Sequence, residues 1–367
     1  MIARRMNAID SSGIRKVFDL AAKIENPVNL SIGQPDFDVP DDVKEETIEA
    51  IRSGFNRYTV TQGIPELHEA FRSYYRRRFD VELGATVVTS GVSGGLVLSF
   101  MTLFDPGDEV MMPDPYFVMY KHLVNLLGAV PKFIDTYPDF RIRQESLEAA
   151  WSPKVKAILV NSPANPTGYV MTRDELQLVA DFADAHQLLV ISDEIYDQFT
   201  YDRPPETMAR FTDRALILNG LSKSAGMTGW RIGFAAGPED IIRQMSTLQQ
   251  YSFVCAPSMA QKGAIRALDH NIGHLLDEYR AKRDFVYDAM NGTFEVERPG
   301  GAFYIFPKSP YGSASEFVES AIANEVLIIP GGVFSEQDTH FRISFAADRS
   351  TLERGVEILC RLARKGL

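Results

Sequence analysis

A chain of 367 residues, 45% hydrophobic and 24% charged, is too long for one simple core and predicts a globular protein with one large and one small domain. Its net charge of −11 argues against a nucleic-acid surface, and its two cysteines, Cys255 and Cys360, are too few for a disulfide framework and lack metal-ligand spacing. The N-terminus has no apolar signal core and no stretch approaches the ~18 apolar residues of a membrane span, so the expected location is the cytoplasm.

In chain order, the first forty residues are expected to pack against the C-terminal part. Short runs rich in valine and isoleucine then alternate with helical patterns: "TVVTSG" (86–91), "EVMMPDP" (109–115), "KAILVNSP" (156–163), "LLVISDE" (188–194), "ALILNG" (215–220) and "RIGFAAG" (231–237). None shows polar alternation, which predicts strands buried on both faces of a mostly parallel sheet. Between them, "TRDELQLVADFADAH" (172–186) predicts a helix opened by a capping box of Thr172 and Glu175. From about residue 275 the pattern changes to a charged helix, "LLDEYRAKRDFVYDAM", strands in "FEVERPGGAFYIF" and "HFRISFA", and a closing helix. The expected organisation is α/β: a large domain over 41–270, and a smaller α+β domain from 1–40 with 271–367.

Ligands of open parallel sheets sit beyond the carboxyl ends of the strands. The predicted strands are followed in turn by "SGVSGG", "PDPYF", "NSPANPTG", "DEIY" and "LSKSAG". Five such ends imply a pocket. In "SGVSGGLVLSF" (90–100), small residues precede an apolar helix, a place where backbone N–H groups hold phosphate; the spacing matches neither the dinucleotide nor the Walker fingerprint. Arg231 could complete such a site or lie on the surface. Asp193 directly follows an apolar strand, where a carboxylate needs a partner, and Tyr196 follows within one helical turn. Lys223, if in a pocket, becomes an amine nucleophile for carbonyls. In "FRISFA" (341–346), Arg342 and Ser344 alternate with Phe341, Ile343 and Phe345, leaving Arg342 either exposed or a bidentate carboxylate clamp. An aldehyde for the lysine, a pyridine nitrogen for the aspartate, a phenolic oxygen for the tyrosine and a phosphate for the arginine describe one cofactor, pyridoxal 5′-phosphate.

With these residues in view, the chain resembles the fold-type I, class I/II pyridoxal-phosphate-dependent aminotransferases along nearly its whole length. "GLSKSAGMTGWRIG" (220–233) is similar to that family's cofactor-lysine signature, and "LSIGQPDF", "YTVTQGIPELHEAF", "NSPANPTG", "SDEIY", "PGGAFYIFP" and "FRISFA" fall in family order. The resemblance implies that Lys223 attaches the cofactor covalently and shuttles a proton, and that Asp193 holds the pyridinium N–H. Tyr196 and Asn165 would bond the phenolic oxygen, and Phe117, or its neighbour Tyr116, would stack on the ring. Val92 and Ser93 backbone with Arg231 would hold the phosphate. Tyr58 would reach the phosphate of a partner subunit, making a homodimer with shared sites. Arg342 would clamp the substrate carboxylate with Asn165 and the Gly33 N–H. One departure stands out: Gly220 occupies the position where many relatives carry a phosphate-binding serine, so Ser222 compensates or one bond is missing.

The expected activity is ping-pong transfer of an amino group from an L-amino acid to a 2-oxo acid such as 2-oxoglutarate. The rivals are a pyridoxal-phosphate-dependent carbon–sulfur β-lyase and a non-catalytic cofactor-binding regulator domain. For a dicarboxylate substrate, Arg15 and Arg298 are the candidate second cations; for an aromatic one, Phe18, Tyr304 and Phe334 are the candidate pocket residues, with aspartate the next donor.

Overall fold

The computed structural model describes residues 1–9, 13 and 26–366. The strands in chain order are β1 (Val28–Asn29), β2 (Ala85–Ser90), β3 (Glu109–Asp114), β4 (Val130–Asp135), β5 (Val155–Asn161), β6 (Leu189–Asp193), β7 (Ala215–Gly220), β8 (Ile232–Gly237), β9 (Tyr304–Ile305), β10 (Val326–Leu327), β11 (Ile329–Pro330) and β12 (Phe341–Ser344). Seven of them form one sheet in the order β2-β8-β7-β6-β5-β3-β4. All neighbours pair parallel except β8, which runs antiparallel to both β2 and β7. This reversal has a functional consequence: the beginning of β8, preceded by Arg231, lies at the edge where the other strands end.

The unbroken apolar runs have the expected cause. Along β7, Leu216 and Leu218 pack into one core cluster while Ala215 and Ile217 pack into another. β5 divides likewise, Ala157 and Leu159 against Ile158 and Val160. The period of two sends alternate side chains to opposite faces, and helices cover both. Helix Arg173–Ala185 carries the Thr172–Glu175 capping box expected of it. The sequence reading missed β4, whose Pro131 and exposed Val130 are tolerated because it is an edge strand. It also over-read "FEVERPGGAFYIF": only Tyr304–Ile305 is regular strand, because Pro299, Gly300 and Gly301 interrupt the stretch before it.

The remaining strands make two small sheets, β1 parallel to β10, and β11-β12-β9 antiparallel. The first of these ties the N-terminal segment to the C-terminal third. The Leu30 N–H donates to Leu327 O at 3.0 Å, and the Ser344 N–H donates to Leu30 O at 2.8 Å. The loop after β11 is in turn fastened to the large sheet. The Tyr116 N–H donates to Phe334 O at 2.7 Å, and Glu336 accepts from the Tyr116 hydroxyl at 2.6 Å and from Lys121 at 2.5 Å. Phe334, fully buried in that loop, therefore has a defined position, which matters for the arginine it touches.

Candidate active site

The ends of β5, β6 and β7, the start of helix Gly91–Leu103, the segment Ile32–Gln34 and strands β9 and β12 converge on a cleft of about 350 Å³. Its lining includes Gly33, Val92, Ser93, Phe117, Asn165, Asp193, Tyr196, Ser222, Lys223, Arg231 and Arg342. Of the residues that the resemblance assigns to the cofactor and the substrate carboxylate, Tyr58 lies elsewhere; it is 84% exposed, on the loop before helix Pro65–Phe79. Tyr116 and Phe117, the two candidates for the ring-stacking aromatic, point to different places. Phe117 faces the cleft, whereas Tyr116 turns away to stack on Phe133 with ring centroids 5.3 Å apart.

Asp193 ends β6 in full burial. Its carboxylate accepts from the Tyr120 hydroxyl at 2.7 Å and from the Ile195 N–H at 3.2 Å. Burial raises its pKa to about 6, against the pull of these two bonds and of Lys223, so it is ionised at neutral pH. Asn161, at the end of β5, braces two site residues at once: its NH₂ donates to Asp193 O at 2.8 Å, and its side-chain oxygen accepts from the Asn165 N–H at 2.9 Å.

Lys223 follows β7 on a tight turn and donates to Gly33 O at 2.5 Å. Burial first, then the cations Arg342 and Arg231, lower its pKa to about 8 against the opposing pull of Asp193. An amine in that range has a useful neutral fraction near neutral pH, as carbonyl chemistry requires.

Arg231 enters β8 with positive φ, 57°, and donates to Thr228 O at 2.8 Å. Beside it, Gly91 (φ 65°) opens the helix; a Cβ there would lie 2.5 Å from Arg231 Nη2. The glycine leaves room for the guanidinium against the first turn of the helix, where free N–H groups gather. Gly220 has a comparable explanation. A Cβ at that position would meet Ile232 O at 2.9 Å and Gly233 Cα at 3.0 Å, so the close approach of β7 and β8 here leaves no room for the serine of many relatives unless the backbone shifts.

Arg342 is 1% exposed, so the alternation of β12 does not leave it on the surface. It donates to Asn165 Oδ1 at 3.0 Å and to Ser31 O at 2.8 Å, and its guanidinium carbon lies 4.5 Å and 4.6 Å from the ring centroids of Tyr304 and Phe334. No carboxylate pairs with it among the described residues, and its buried Nε has no hydrogen-bond partner. A guanidinium stays charged even when burial lowers its pKa, so the cleft holds a buried positive charge.

Arg298, the candidate second cation, is paired with Asp284 at 2.6 Å and does not line the cleft. Tyr304 lines it, and Phe334 acts from behind Arg342. Arg15 and Phe18 lie outside the described residues. Tyr120 and Asn161 were missed. Tyr120 reads in sequence as one more core aromatic on a helix, whereas Asn161 carried a usable signal, a polar residue closing an apolar strand as Asp193 does.

The cleft thus gathers a buried carboxylate and a lysine of lowered pKa at the ends of parallel strands, with an arginine from β12 that has no acid partner among the described residues. Comparison with known proteins agrees. The aminotransferase class I and II family matches residues 25–359. A probable aspartate aminotransferase of Methanocaldococcus jannaschii is 38% identical over 98% of this chain and 99% of its own. Aromatic-amino-acid aminotransferase 2 of Thermococcus litoralis is 34% identical over 97% of this chain and 96% of its own. The structure of aspartate aminotransferase from Thermus thermophilus with maleate superposes with a TM-score of 0.94 at 31% identity, covering 98% and 99% of the two chains. The chain belongs to the class I and II aminotransferases. Its activity is amino-acid transamination.

Proposed function

We propose that the cleft binds pyridoxal 5′-phosphate and transfers the amino group of neutral, chiefly aromatic, L-amino acids to a 2-oxo acid. The observation that carries this reading is the buried Arg342, charged, without an acid partner among the described residues, in the same cleft as Lys223 and Asp193. The residues present fit the cofactor's groups. Arg231 and the backbone of Gly91–Ser93 suit a phosphate, the ionised Asp193 suits a protonated ring nitrogen, and Phe117 offers a face to the ring. Tyr196 and the Asn165 NH₂, whose side-chain oxygen already accepts from Arg342, suit the ring oxygen. When bound, the cofactor supplies an aldehyde carbon and a ring that withdraws electrons from the substrate Cα.

The chain's own residues do the rest. Arg342, with Asn165 and the Gly33 N–H, fixes the substrate carboxylate and so orients Cα toward Lys223. Lys223, in its neutral form, takes the Cα proton and returns it on the cofactor side. Asp193, held by Tyr120, Asn161 and the Ile195 N–H, maintains the charge that makes the ring electron-poor.

The donor class follows from the rest of the lining. Among the described residues the cations in the cleft are Lys223, Arg231 and Arg342, each already committed, and Ile32, Leu96, Phe117, Ile195 and Tyr304 supply apolar surface. Burying a large apolar side chain gains ~25 cal/mol per Å², whereas a distal carboxylate would be desolvated without a partner among the described residues. A donor panel with 2-oxoglutarate, read as kcat/KM, tests this. Phenylalanine and tyrosine are expected to lead; aspartate ahead of both by more than about tenfold (~1.4 kcal/mol) refutes the donor class. Absence of any cofactor absorbance change with every donor refutes the site itself.

The site is proposed to be completed in a homodimer. Tyr58 is exposed and does not line its own chain's cleft, and Val60, Tyr251, Phe253 and Val254 are also exposed apolar side chains. Mixing Lys223→Ala and Tyr58→Phe subunits under exchange conditions is expected to give more activity than either parent, since one site per mixed dimer then holds both native residues. Verified exchange with no gain removes Tyr58 from the partner's site.

A further inference from the structure

Tyr196 and Tyr304 place their hydroxyl oxygens 2.9 Å apart in full burial. Each phenol has one proton and can accept as well as donate, so only one of the two protons lies between them. If Tyr196 donates to Tyr304, a lone pair of Tyr196 faces the cleft; if Tyr304 donates, Tyr196 keeps its proton for whatever occupies the cleft. The surroundings of Tyr304 decide between them. Its ring lies 4.5 Å under the Arg342 guanidinium, and its hydroxyl makes no other hydrogen bond among the described residues. The positive charge beside the ring favours release of the Tyr304 proton and makes Tyr304 the better donor. The directions of titration agree: burial raises both phenols, Tyr196 well above its usual range, and although Arg342 opposes burial at both, it ranks directly after burial for Tyr304 and behind the two upward influences of Tyr304 for Tyr196. The ring is held in place by the pairing of Ile305 with Ile343 and of Tyr304 with Ser344.

We propose that Tyr304 is a positioning residue whose hydroxyl donates to Tyr196 and thereby commits the single Tyr196 proton to the ring oxygen of the cofactor. This rests on the reading that the cleft takes pyridoxal 5′-phosphate with that oxygen against Tyr196. It also links the two halves of the site, because the residue that orients the Tyr196 proton is the one stacked beneath the carboxylate-binding arginine.

The test uses the full-length chain reconstituted with pyridoxal 5′-phosphate, as wild type, Tyr196→Phe, Tyr304→Phe and the double variant. The visible absorbance of the bound cofactor is followed against pH. A hydrogen bond to the deprotonated oxygen favours that form, so its loss moves the midpoint upward. Tyr304→Phe is expected to raise the midpoint by about half a unit, roughly threefold in proton affinity, and Tyr196→Phe by more. Because Tyr304 acts through Tyr196, the double variant should titrate like Tyr196→Phe alone. A Tyr304→Phe midpoint equal to wild type, or a double variant displaced by the sum of the two single shifts, overturns the proposal. If Tyr196→Phe titrates as wild type, the proposal falls together with the placement of the ring oxygen. A wild-type chain that develops no visible band overturns the cofactor reading itself, before any variant is compared. Phenylalanine keeps the ring under Arg342; should the variant nonetheless fail to fold, Tyr304→Met, which also removes the hydroxyl, serves for the same titration.

Discussion

Lys223→Ala is expected to lower turnover by at least about 10⁴-fold, since the amine is proposed as both the covalent attachment point and the proton carrier at Cα. The remaining groups still hold the phosphate and ring, so cofactor uptake should persist, and the defect should lie in the proton-transfer step of a single turnover. The same variant should be more stable without cofactor at neutral pH. The folded-state pKa of Lys223 is about 8 against 10.5 for the free side chain. Between those values the unfolded chain holds a proton that the folded chain has released, so stability falls as pH drops through this window and the penalty is complete below it. Removing the amine relieves that penalty at pH 7 by about 1–2 kcal/mol, after allowance for partial exposure and for the lost bond to Gly33 O. The melting temperature of the variant should therefore exceed that of the wild type at pH 7, with the difference closing as pH approaches 10.5. Near-native turnover would refute the assignment, and a gain independent of pH would refute the electrostatic cause.

The parts of this molecule legible in sequence are those in which one local signal fixes one local outcome. The apolar runs of β5, β6 and β7 suit doubly covered strands, and the Thr172–Glu175 spacing is the pattern of a capping box; both are found. Asp193 and Lys223 stood out because polar groups directly follow buried strands. β4 was not legible because an edge strand needs neither a continuous apolar run nor freedom from proline. Nor was the burial of Arg342, since the alternation in "FRISFA" is the same whether the second face meets water or a cleft; the rings of Tyr304 and Phe334 that enclose it come from separate segments. Tyr120 shows the general difficulty. Its role depends on a hydrogen bond to a residue 73 positions away, and nothing in its neighbours distinguishes it from a core tyrosine.

Arg342→Met carries the second large expected effect. A carboxylate bound by a guanidinium accepts two charge-assisted hydrogen bonds, each worth roughly 1.5–3 kcal/mol, so kcat/KM for amino donors should fall by about 10²–10⁴-fold. The loss should not come from unfolding. An apolar side chain of similar length removes a buried guanidinium that has no acid partner among the described residues, which offsets the lost bonds to Asn165 Oδ1 and Ser31 O, so the cofactor-free variant should stay folded and melt close to wild type. Arg342→Lys should recover little, because a point charge cannot reproduce the planar fork lodged between Tyr304 and Phe334. The decisive comparison is between phenylalanine and phenethylamine, which differ only in the carboxylate. The wild-type enzyme should strongly prefer the amino acid, and the methionine variant should lose that preference by slowing the amino acid while leaving the amine nearly untouched. Retained discrimination in a folded variant would mean that the carboxylate is held elsewhere, and Arg342 would then have to be reassigned to the packing between β12 and its two aromatic neighbours.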